Sequence, residues 1–107
     1  MYCIDQPVTI EWTLDKTDTA LSNLLVKITE PDGSTSFSAL QNYVAPTETV
    51  DGSTVYTVTP DTEGLWIASL VNGTPNSYNV YSTTTMYVFS NDTVVEPLVY
   101  AGGNLNI

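Results

Sequence analysis

Between Val8 and Leu14 the chain alternates without a break: Val8, Ile10, Trp12 and Leu14 are apolar, while Thr9, Glu11 and Thr13 are polar. Successive side chains of a strand point to opposite faces, so this period puts one face on a core and the other in water. Good helix formers such as Ala, Glu and Lys are scarce and arginine is absent, whereas Thr, Ser, Val and Tyr recur throughout. Those residues suit a pleated, half-buried surface. The chain therefore reads as all-β.

The pattern returns several times, punctuated by turns. A second strand is expected over residues 23–30, with Leu24, Val26 and Ile28 on one face and Leu25, Lys27 and Thr29 on the other. It stops at Pro31-Asp32-Gly33-Ser34, where Pro pre-sets φ and Gly accepts a left-handed conformation. A third strand spans 35–40, with Phe37 and Ala39 as its inner residues. Residues 41–51 are less regular, Pro46 argues for an edge or a connection, and Asp51-Gly52 is a second turn signal. A strand over 54–59 follows, then the turn Pro60-Asp61-Thr62-Glu63-Gly64 and a strand over 65–71. Trp66, Ala68 and Leu70 face one way there, and Leu65, Ile67 and Val71 the other. After a loop at 72–76, a last strand runs over 79–90, with Tyr81, Thr83, Thr85, Tyr87 and Phe89 on one face. Val80, Thr84, Met86 and Val88 take the opposite face. About seven short antiparallel strands spaced by turns is the pattern of an immunoglobulin-like β-sandwich. Cys3 is alone, so no internal disulfide is available and packing must hold the fold.

Two features point beyond a closed domain. The strand over 65–71 is apolar on both faces, whereas a strand with one solvated face should alternate. Its outer face must meet a neighbouring segment of the same chain or another molecule. After a domain spanning residues 1–92, residues 93–107 are apolar without a period and carry Pro97 and Gly102-Gly103. They read as a C-terminal arm or docked tail, on self or on a partner. The candidate partner-binding residues are Leu65, Ile67, Val94, Val95, Leu98, Val99, Tyr100, Leu105 and Ile107.

Charge and inventory exclude most chemistry. The chain has 107 residues, with 12 acids against two lysines, no histidine and a formal charge of −10. That length suits one core. It cannot neutralise a nucleic-acid backbone, and an anionic membrane repels it. No apolar run approaches the ~20 residues of a membrane span. Met1-Tyr2-Cys3-Ile4-Asp5 lacks the basic and apolar regions of a secretory leader, so synthesis without one is expected, and the sequons at Asn72 and Asn91 carry no meaning. Without histidine there is no catalytic triad and no imidazole zinc site, and one cysteine forms no multi-cysteine metal site. The acid pairs Asp15/Asp18 and Asp61/Glu63 fall in turns, where burial seldom raises a carboxyl pKa. No D-x-D-x-D-G calcium loop is present. The expectation is a non-enzymatic chain with no cofactor and no metal. Trp12 and Trp66 alternate with aliphatic neighbours and read as core; Tyr78 and Tyr81 flank a loop and are the candidates for an exposed, glycan-binding patch.

The stretch Glu30-Pro31-Asp32-Gly33-Ser34-Thr35, and then Tyr56-Thr57-Val58-Thr59-Pro60-Asp61-Thr62-Glu63-Gly64-Leu65-Trp66, resembles the small immunoglobulin-like proteins of tailed bacteriophage virions. The opening Pro7-Val8-Thr9-Ile10-Glu11-Trp12 is similar to the way such chains begin, so the resemblance spans residues 7 to 71. It implies a virion protein that decorates or cements the outer capsid shell, with the major capsid protein as partner and self-association as a second expectation. A head–tail connector or tail component is the first alternative, and a glycan- or receptor-binding module the second. An acidic, arginine-free chain belongs outside a shell that holds DNA.

Overall fold

The computed structural model describes residues 1–90, and these form eight β-strands and no helix. They are β1 (Tyr2–Cys3), β2 (Val8–Leu14), β3 (Leu24–Thr29), β4 (Thr35–Ser38), β5 (Gln41–Val44), β6 (Gly52–Val58), β7 (Gly64–Thr74) and β8 (Ser77–Phe89). One sheet has the order β1-β8-β7-β3-β4 and the other β2-β6-β5. All pairings are antiparallel except that of β1, which runs parallel to β8. The expected count of about seven antiparallel strands is thus corrected by one short parallel strand near the N-terminus, too brief to show a period.

The two sheets share one core. Trp12 and Leu14 of the smaller sheet meet Val26, Ile28, Trp66, Leu70, Met86 and Val88 of the larger one. All of these alternate in register on their strands, and the burial of β3 repeats every second residue. The indole of Trp66 donates to the Thr62 carbonyl at 3.0 Å, so its polar edge is satisfied where the ring enters the core. Thr54 is also fully buried and donates its hydroxyl to the Gln41 carbonyl at 2.9 Å, tying β6 to β5.

Several boundaries differ from the sequence reading. Residues 72–74 continue β7 instead of forming a loop, and Pro75-Asn76 alone connects it to β8. Asn23 secures this extension: its backbone amide donates to the Asn72 side-chain oxygen, and its side chain donates to the Gly73 carbonyl. The irregular stretch 41–51 contains the edge strand β5, and the turn after it is closed by Thr47 and Val50. Phe37 is not an inner residue. Its partner in β4–β3 pairing is Lys27, which lies on the outer face, so Phe37 is outside and packs edge-on against Tyr78 at 5.6 Å. Ala39 lies beyond the end of β4 and is exposed.

A bulge in β8 produces one more correction. Leu70 pairs with Ser82 and Val71 with Val80, which leaves Tyr81 as an extra residue. Before the bulge the side-chain phase is therefore inverted. Val80 points out and is 56% exposed, while Tyr81 packs against the core.

Candidate partner-binding surface

The outer face of β7 and β8 carries the unexplained apolar residues. Leu65 pairs across the strands with Tyr87, and they are 48% and 50% exposed. Ile67 sits beside them, half-buried, between Thr29 of β3 and Thr85 of β8. The Phe89 ring lies 5.0 Å from that of Tyr87 and extends the patch toward the end of β8. Further along the same face Val71 is fully buried between its cross-strand partners Leu25 and Val80. Leu65 and Ile67 thus stand together as the sequence predicts. Val94, Val95, Leu98, Val99, Tyr100, Leu105 and Ile107 lie outside the described residues, as does the boundary at 92/93. Tyr87 and Val80 join the surface although they were not singled out. Alternation alone identifies Tyr87, but the bulge hides Val80.

The tyrosines expected to form a binding patch are engaged elsewhere. Lys27 donates its ammonium to the Tyr78 hydroxyl at 2.7 Å, and Phe37 covers the ring edge. The Tyr81 hydroxyl donates to Asp18 Oδ2 at 2.9 Å and accepts from the Asp15 amide at 3.2 Å, pinning the loop after β2. Its pKa is raised: the Asp15 amide pulls it down, but burial and the nearby Asp18 and Asp15 carboxylates outweigh that pull.

Among the described residues every acid but Glu11, which lies within β2, falls at one end of the strands or the other. Asp15, Asp18, Glu48 and Asp51 lie in loops at one end of the strands, and Asp5, Glu30, Asp32, Asp61 and Glu63 at the other. From Gly64 to Asn91 there is no charged residue at all. Asp15 and Asp32 close their own turns. Thr17 donates to Asp15 through its amide at 2.8 Å and its hydroxyl at 2.7 Å, and Ser34 does the same for Asp32 at 2.9 and 2.7 Å. The Thr17 amide and hydroxyl hold the Asp15 carboxyl below its ordinary pKa, and the Ser34 hydroxyl and amide do so for Asp32. Among the described residues no three acidic or thiol groups converge as a metal site, and no helix is long and apolar enough to cross a membrane. The result is a strand pair, β7 and β8, with no charged residue of its own between two acidic ends, and the Lys27 ammonium of β3 reaches Tyr78 on its outer face.

No protein-family model matches the chain, and no curated protein or solved structure matches it either.

Proposed function

We propose that this chain is a non-enzymatic structural protein of a phage virion, a decoration protein that docks on the outer shell formed by the major capsid protein. In this reading the two sheets form an immunoglobulin-like sandwich. The outer flank of β7 and β8 at Leu65, Ile67 and Tyr87 meets the shell, and residues 93–107 act as an arm that adds to the contact. The observation that carries a docking role is the pairing of Leu65 with Tyr87, two large apolar side chains half-exposed on a strand pair that bears no charge. The virion setting is supported by the motif resemblance, and the outer location by the charge of −10, which packaged DNA would repel. Many identical copies on one particle make a modest affinity per contact sufficient.

The test is co-sedimentation of the chain with purified particles of its source, with its copies counted against the major shell protein by quantitative mass spectrometry. Decoration predicts a copy number comparable with that of the shell protein, and a ring-sized number points to the connector or tail. Leu65→Asp and Tyr87→Asp should each abolish binding while the circular dichroism of the chain stays unchanged. Absence from particles removes the virion setting, and undiminished binding by both variants removes this flank as the docking surface.

A further inference from the structure

β8 is much longer than the strand that protects it. On one side it pairs with β7 along its length, but on the other β1 covers only Val88 and Phe89. Among the described residues no strand lies against that side from Ser77 to Tyr87. A free edge offers a row of unpaired N–H and C=O groups, and proteins usually blunt such edges with charge, proline or a bulge. Here the bulge at Tyr81 interrupts the edge but leaves a straight stretch, Ser82-Thr83-Thr84-Thr85-Met86-Tyr87. That stretch has no charge, no proline and no glycine, and Thr83, Thr84, Thr85 and Tyr87 are strand-favouring residues. It also borders a cleft toward the other sheet, lined by Val8, Ile10, Thr84 and Met86, so this side of the molecule is not sealed.

We propose that this stretch pairs antiparallel with the same stretch of a second copy, joining two five-stranded sheets about a two-fold axis. The inference is independent of the virion reading. The occupant follows from charge and symmetry. A chain of net charge −10 repels its own copies wherever acids face each other, and the hairpin of β7 and β8 is where that opposition is absent. Antiparallel pairing of a segment with itself is isologous, so one self-complementary edge closes the assembly. Opposed residues must share a face, so a two-fold axis at Thr84 sets Thr83 of each copy against Thr85 of the other. Both are exposed on the outer face, where cross-strand threonine pairs stabilise a sheet. Because the remaining charge is repulsive and screened by salt, the association should tighten as salt is added. Docking of the acidic ends on a basic partner would do the reverse.

Sedimentation equilibrium of the full chain, over a wide concentration range at low and high salt, tests this together with amide hydrogen exchange. A monomer–dimer equilibrium that tightens with salt is expected, with concentration-dependent protection of alternate amides between Ser82 and Tyr87. Thr83→Asp/Thr85→Asp should weaken association about tenfold or more, because like charges then face each other across the axis. The lysine counterpart, Thr83→Lys/Thr85→Lys, should do the same, and an equimolar mixture of the two should restore the dimer. A chain that stays monomeric with these amides open overturns the proposal. So does a monomer in which they are protected at every concentration, since its own residues 91–107 would then cover the edge. A dimer that neither double variant weakens places the contact elsewhere and overturns it equally.

Discussion

Gly64 has φ at +133°, and a Cβ there would lie 2.8 Å from the Cβ of Pro31. The missing side chain thus does two things: it permits the backbone turn into β7, and it lets the Pro31 ring rest on that turn. Gly64→Ala is expected to destabilise the chain by about 1–3 kcal/mol, read as a lower midpoint in chemical denaturation. Gly33, at φ +90°, has open space around the same position, so Gly33→Ala carries the conformational cost without the clash and serves as the control. The sequence marks both glycines as turn residues but does not reveal that the two turns touch. Turn chemistry is written in neighbouring residues, whereas the contact depends on the course of β3 and β7 side by side.

At the scale of elements, β2 and β3 were readable because each keeps a two-residue period over a buried face, and β7 because a short apolar run sits between two turn signals. β8 was readable only in part, since one extra residue inverts the phase and no residue type announces it. Phe37 misled for a related reason: its apolar ring belongs to an outer cluster with Tyr78, not to the core. The inverted phase has a use, because it turns Tyr81 inward to hold Asp18 and the Asp15 amide. With its pKa raised in the folded chain, Tyr81 contributes stability that is fully present below the unfolded tyrosine value of about 10 and lost as pH rises through the folded value. Tyr81→Phe should therefore lower stability at neutral pH, where the hydroxyl makes its bonds, and flatten the alkaline decline. Thermal melts of both chains from neutral pH upward check this. On the apolar outer face, Leu65 and Ile67 were evident from sequence because they spoil an alternation, whereas Val80 was concealed by the bulge.

At the scale of the molecule, the acids among the described residues, Glu11 apart, are gathered at the strand ends, while β7 and β8 carry no charged residue. Sequence gives the sum of charges and their order, but their grouping at two ends needs the strand pairing. Asp15 and Asp32 are held below their ordinary pKa by Thr17 and Ser34. Their stabilisation is present above the unfolded carboxyl value of about 3.9 and is lost as pH falls through the lowered folded values. Asp15→Asn/Asp32→Asn should accordingly show a shallower acid decline in melting temperature than the natural chain, a small difference since both groups are exposed. One small element also bears on how an assembly can grow. Tyr2 and Cys3 occupy the last positions beside β8, so a strand arriving along its edge meets a stop at Tyr87. The opposite border of that sheet is β4, only four residues long. Both borders of the larger sheet are thus blunted against open-ended sheet extension, β4 by its shortness and β8 by β1, which sets one end of any strand added there.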